Sequence, residues 1–294
     1  MKVGTVKHRG RLLAAAVLDD EAYDLTRLFG IGPAPENDPL GHYLRKGVLN
    51  YADMHEALQS ATLRNTARLD ASVDALDWVL PFRPGKIIAV GRNYAAHARE
   101  LGNEVPESPV LFSKSPSTCI GPGQTIRIDP TEGRVDYEGE IAVVIGAKSR
   151  ALSEHDTRGA VCGVTLLNDV TARDVQRRAK EQGLPWFEAK NRDTFCPVGP
   201  LVTMTGCVPQ PFEWPIETRV NGELRQAGNT GDFIFPVERL ISHISRRITL
   251  APGDIIATGT PEGVGPLSPG DTVTIMSPQI GSLVNTVEVA IRHN

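Results

Sequence analysis

The sequence predicts an α+β protein rich in strands, with a small N-terminal α/β accessory domain ahead of a larger main domain. Short runs of β-branched and apolar residues bounded by glycine and proline recur along the chain, whereas amphipathic helical periods are few. Pro252-Gly253-Asp254, Pro269-Gly270-Asp271 and the pair Asn221-Gly222 mark tight turns in the last third. Pro81-Phe82-Arg83-Pro84-Gly85 breaks any regular element and divides residues 1–80 from 81–294.

Composition narrows the class. With 294 residues, 40% of them hydrophobic, the chain can bury a substantial core. A net charge of -4 with scattered Lys and Arg leaves no basic stripe for nucleic acid. The apolar run Leu12 to Leu18, bounded by Arg11 and Asp19, is far too short for a membrane span, and no secretory signal is expected ahead of it. The four cysteines show no C-x-x-C spacing, which argues against a zinc ribbon or a disulfide framework and fits a reducing cytoplasm. Cys162 lies in an apolar run and reads as a small core residue.

The elements follow in chain order. Lys2 to Val6 and Leu12 to Leu18 read as strands around a His8-Arg9-Gly10 turn, then a Pro- and Gly-rich loop near 31–41 and a helix from about Asp53 to Leu63. This region holds no convergent polar cluster and is expected to cap or dimerise. Lys86 to Val90 reads as a short buried strand, Gly91-Arg92-Asn93 as a turn, and Tyr94 to Leu101 as a short helix stopped by Gly102. His97 and Glu100 share a face of that helix, where a carboxylate can hold an imidazole nitrogen; spacing alone favours an ordinary surface pair. Pro109 to Lys114 is a further strand, with Lys114 either solvated or a charge behind the site. Val144 to Ser149 lacks the glycines of a P-loop, so nucleotide binding is set aside. Ile216 to Val220 and Glu223 to Gln226 form a hairpin, Pro236 to Arg246 a helix, and Ile255 to Ala257 a strand leading to Thr258-Gly259-Thr260-Pro261.

The chain is organised around carboxylates. Asp136 to Ile145 reads as one strand whose period of two puts Glu138 and Glu140 on one face and Gly139 on the other. A second buried strand, Val161 to Leu167, delivers Asp169. Two readings follow, a solvated strand face or an oxygen-rich site for Mg²⁺, Mn²⁺ or Ca²⁺; the lack of nearby His or Cys speaks against zinc. Thr171-Ala172-Arg173-Asp174 reads as a helix start with Thr171 as N-cap and Asp174 in the capping-box position, and residues 173, 176 and 180 then share a face toward the carboxylates.

Asp-Tyr-Glu-Gly-Glu-Ile from 136, Asn-Asp-Val-Thr-Ala-Arg-Asp-Val-Gln from 168, Gly183-Leu184-Pro185-Trp186 and Lys190 together resemble the fumarylacetoacetate hydrolase superfamily, in its acylpyruvase and oxaloacetate decarboxylase branch, from about Lys86 to the C-terminus. The resemblance implies a mixed β-sandwich roll. It implies Glu138, Glu140 and Asp169 as ligands of Mg²⁺ or Mn²⁺, with Ca²⁺ as a further option, and His97 and Glu100, in Asn-Tyr-x-x-His-x-x-Glu, as the water-activating dyad. Lys190 joins them as a catalytic cation, while Arg92, Arg173, Gln176, Gly259 and Thr260 are implied around the substrate. The expected function is metal-dependent hydrolysis of a C–C bond in an acylpyruvate-type 2,4-dioxo acid, in catabolism of aromatic or sugar-derived acids. Oxaloacetate decarboxylation and isomerisation of an unsaturated 2-oxo-dicarboxylate are the alternatives, and a non-catalytic 2-oxo-acid binding protein a remote one. A 2-oxo acid as ligand and a cytoplasmic homodimer complete the expectation.

Overall fold

Residues 215–220 and 272–277 alternate buried and half-buried positions, as strands with one covered face do, whereas Gly139–Ile145 is buried at each residue, as a strand between two layers must be. The computed structural model describes residues 1–30, 32, 34–100, 102, 104–207 and 212–290. Its largest sheet has eleven strands, with the path Glu21–Asp24, Arg11–Leu18, Lys2–His8, Cys196–Met204, Val161–Asn168, Gly139–Ile145, Ile255–Ala257, Ile87–Gly91, Val110–Lys114; Asp77–Trp78 and Cys119–Ile120 attach beside it. A second sheet of five strands runs Glu223–Asn229, Pro215–Val220, Thr272–Ser277, Gly281–Val289, Thr125–Ile128. A third, of three short strands, joins Thr171–Ala172, Val135–Tyr137 and Gly265–Pro266. The fold is the strand-rich mixed α/β arrangement that the sequence predicts.

The period of two sorts the central strand between two cores. Ile141, Val143 and Ile145 pack with Val164, Leu166, Ile216, Val273 and Ile275 between the two large sheets. Ala142 and Val144 face the other way, against a core shared with Leu40, Leu44, Met54 and Leu58 of the N-terminal helices. Small Ala142 on that side leaves room for the helical layer. The first strand continues the large sheet directly, pairing antiparallel with Cys196–Met204 at Lys2↔Thr203 and Val3↔Val202.

Local differences from the sequence reading have local causes. The helix expected over 53–63 is two helices, Tyr51–Gln59 and Ala61–Ala67, because Ser60 is extended and its hydroxyl caps the second by accepting from Leu63 N at 3.4 Å. The loop near 31–41 yields to a helix, Pro39–Lys46, begun by proline at its first position; residues 31 and 33 lie outside the described residues. The short helix before Gly102 spans Ala95–Glu100, and Leu101 is not among the described residues. The Asn221-Gly222 hairpin has φ of 53° and 84°, as a type I′ turn requires. Among the described residues no helix is long and apolar enough to cross a membrane.

Candidate active site

The extended stretch from Asp136 breaks at Glu138. Val135–Tyr137 belongs to the small sheet and Gly139–Ile145 to the large one, so Glu138 sits where the chain passes between them. Two backbone contacts bring the third acid in: Glu138 N donates to Asn168 Oδ1 at 3.0 Å, and Asp169 N donates to Glu138 O at 2.8 Å. Gly139 turns its missing side chain to the second sheet, where Ile275 Cγ1 would lie 3.3 Å from a Cβ, and its N–H donates to Gln226 Oε1 at 3.0 Å. Glu138, Glu140 and Asp169 are all buried, with one carboxylate oxygen from each lying within 4.8 Å of the others.

Cations hold this cluster together. Lys190 Nζ lies 2.8 Å from Glu138 Oε2 and 2.6 Å from Asp169 Oδ2, and Arg173 donates to Glu138 Oε1 at 2.5 Å and to Asp136 Oδ2 at 2.8 Å. Burial works to raise the Glu138 carboxyl, but the charges of Lys190 and Arg173 prevail and hold it below the usual range. Among the described residues Glu140 has no such partner. Its Oε2 accepts from Gly259 N at 2.8 Å, and burial, then the charge of Asp169, raises its pKa well above the ordinary value. Asp169 Oδ1 faces Lys114 Nζ at 2.8 Å in a buried ion pair, and that ammonium also donates to the carbonyls of Val170 and Lys190. Three buried oxygen donors, one of them pushed toward its protonated form, fit a hard divalent cation, which would answer that deficit.

These residues wall a cavity that also takes in His97, Arg92, Gln176 and Thr260. His97 Nδ1 lies 3.2 Å from Glu100 Oε2, whose other oxygen accepts from Gly263 N at 3.0 Å. Burial lowers the His97 pKa, although Glu138 and Glu100 pull the other way. Thr260 Oγ1 donates to Gly139 O and accepts from Gln226 Nε2, each at 2.8 Å. Gly259, with φ of 100°, acts through its amide on Glu140. Arg173 spends its guanidinium on Asp136, Glu138 and, at 2.8 Å, Gln176 Oε1.

The capping box at Thr171 is corrected. Strand pairing with Val135 and Asp136 keeps Thr171 and Ala172 extended, so the helix is Arg173–Glu181, with Ala172 before it and no side-chain cap. The Thr171 hydroxyl instead donates to Asp169 O at 2.8 Å, and Asp174 accepts from Arg134 N at 2.9 Å. Residues 173, 176 and 180 do share the cavity face. Sequence reasoning assigned no role to Asp136, Gln226 or Asn93. Asn93 bonds Phe235 O, Phe235 N and Thr258 O and so fixes the Thr258 loop; its signal was its place at the head of the Asn-Tyr-x-x-His-x-x-Glu motif.

Residues 86–288 match a family model, fumarylacetoacetate (FAA) hydrolase C-terminal. The chain is 44% identical over 216 residues to oxaloacetate tautomerase YisK of Bacillus subtilis (strain 168), covering 70% of each chain. It is 42% identical over 212 residues to mitochondrial oxaloacetate tautomerase Fahd2a of Rattus norvegicus, 70% of this chain and 67% of that one. The structure resembles, with a TM-score of 0.79 and 33% identity over 99% of this chain and 100% of the other, maleylpyruvate hydrolase from Sphingobium sp. SYK-6 in complex with manganese(II) ion and pyruvate.

Proposed function

Because the chain belongs to the fumarylacetoacetate (FAA) hydrolase C-terminal family, we propose that it is a divalent-cation-dependent enzyme that interconverts the enol and keto forms of an oxaloacetate-type 2-oxo acid. The observation that carries this reading is the single cavity onto which Glu138, Glu140, Asp169, His97 and Lys190 converge. Two relatives above 40% identity that are named oxaloacetate tautomerases support it.

A divalent cation held by Glu138, Glu140 and Asp169 supplies Lewis-acid charge to a 2-oxo acid's carboxylate and keto oxygens. The chain's own residues do the rest. Burial keeps His97 neutral at neutral pH, and an Nδ1–H donated to Glu100 leaves Nε2 free to take a proton from the carbon next to the keto group. Lys190, fixed by Glu138 and Asp169, provides a positive charge near the oxygen on which negative charge develops. Phe112 and Trp186 supply an aromatic stretch of the same wall, their ring centroids 5.6 Å apart.

Acylpyruvate hydrolysis is the second reading. The Glu100-held imidazole favours it, since the same base can take a proton from water, as does the full-length likeness to maleylpyruvate hydrolase. Ultraviolet decay of enol-oxaloacetate and cleavage of an acylpyruvate panel, each with and without Mn²⁺, decide between them. The expected result is Mn²⁺-dependent tautomerisation that Glu138→Ala abolishes together with Mn²⁺ binding. Cleavage of an acylpyruvate without tautomerisation puts the hydrolase first, and turnover of neither substrate class overturns both.

A further inference from the structure

The cavity wall carries two cations, Arg92 and Lys180, with which no carboxylate among the described residues forms an ion pair. The Arg173–Glu181 helix presents Arg173, Gln176 and Lys180 to the cavity, spaced three and four residues apart along one face. Arg173 is committed to Asp136 and Glu138, but no carboxylate among the described residues pairs with Lys180. Its ammonium lies instead 5.1 Å from the centroid of the Trp186 ring, itself part of the wall. Arg92 reaches the same cavity from the turn after Ile87–Gly91, and its Nε is buried without a hydrogen-bond partner.

These groups repel one another. Burial, and then the charges of Arg92 and Arg173, lower the Lys180 pKa. The Arg92 Nε, buried without an acceptor, beside the exposed Lys180 ammonium that lies over the Trp186 face, invites an anion from outside the chain. At the acidic end the cations Lys190 and Lys114 are already matched to Glu138 and Asp169. The cavity is thus electrostatically two-ended, with a cation-seeking end at the three carboxylates and an anion-seeking end at Arg92 and Lys180.

We propose that Lys180, steadied by Trp186, forms with Arg92 a second anion subsite that takes the distal carboxylate of a dicarboxylic 2-oxo acid and so selects dianionic over monoanionic substrates. This rests on the proposed function for the position of the first carboxylate and keto group, at the three acids. Lys180 acts here as a specificity residue and takes no part in proton transfer.

The test separates the subsite from the reaction by using inert ligands. Calorimetric titration of the Mn²⁺-loaded protein with 2-oxoglutarate and with 2-oxopentanoate, which share a five-carbon backbone and differ in the distal carboxylate, is expected to show a preference of about tenfold or more for the dianion. Lys180→Gln is expected to erase most of that preference, Lys180→Arg to restore it, and Mn²⁺ affinity to stay constant in both. The same variants are then assayed on enol-oxaloacetate, where Lys180→Gln should raise KM far more than it lowers kcat. A preference kept by Lys180→Gln, or failure of both probes to bind the loaded wild-type protein, overturns the subsite. A preference lost in Lys180→Gln while wild-type protein turns over no 2-oxo acid upholds the subsite and overturns the reaction alone.

Discussion

As the proposed base, His97 should set the pH dependence. Its folded-state pKa lies below the ordinary imidazole value of about 6.5 because burial disfavours the charged ring. An unfolded chain therefore takes up this proton first as pH falls, so the residue's contribution to stability is complete above the ordinary value and is lost below it. For catalysis the same shift keeps the base unprotonated across neutrality, and kcat/KM should fall only on the acid side of the ordinary imidazole value. Its substitution by Gln should cost about 10² to 10⁴-fold; an acid limb at or above the ordinary value would remove His97 from the role of base. Lys190 makes a different prediction. Lys190→Met leaves Glu138 and Asp169 facing each other without a shared cation, so the metal-free variant should melt lower than the wild type, by about 3–5 kcal/mol of stability. Added Mn²⁺ should then raise its Tm by more than it raises that of the wild type, and an equal shift in both would show that Lys190 does not neutralise the acids. The sequence singled out both residues through the family resemblance, spacing alone favouring neither, and the structure brings them with the three acids onto one cavity. Gln226 was not singled out: it bonds Gly139 across 87 residues and Thr260 across 34, separations over which no sequence period carries a signal.

Among elements, the crossing at Glu138–Gly139 decides how the acids face. Pattern reading gave one strand here, since nothing in Asp136-Tyr137-Glu138-Gly139 announces a change of sheet; the change comes from Thr171–Ala172 and Gly265–Pro266, which capture the first half by pairing. The displaced helix start at Arg173 has the same origin. Gly139→Ala tests the crossing. A methyl group there meets the Thr218 hydroxyl, Ile275 and Gln226 Oε1, so stability should fall by about 1–3 kcal/mol, and Mn²⁺ should bind more weakly as the flanking acids shift. Thermal melts and calorimetry check this, and wild-type values in both would mean that the sheets yield without moving the site.

The whole molecule shares one large sheet between residues 1–80 and the remainder, through Lys2–His8 on Cys196–Met204, and one core in which Leu40 and Met54 meet Val144 and Ile255. Thermal unfolding should therefore follow a single cooperative transition by calorimetry and by far-ultraviolet circular dichroism. Two resolved transitions would mean that the N-terminal region folds as an independent unit. Turn chemistry made the break at 81–85 visible in the sequence, whereas strand partners across such a break come from tertiary packing and leave no local mark. The lysines around the acids have one more consequence. Since Lys190 and Lys114 already offset part of the negative charge, chelation should not unravel this protein as it does a small zinc domain. An ion bound at the three acids would then be an interchangeable part: one purified batch, stripped and reloaded in turn with magnesium, manganese or calcium, could be ranked ion by ion on the same folded scaffold.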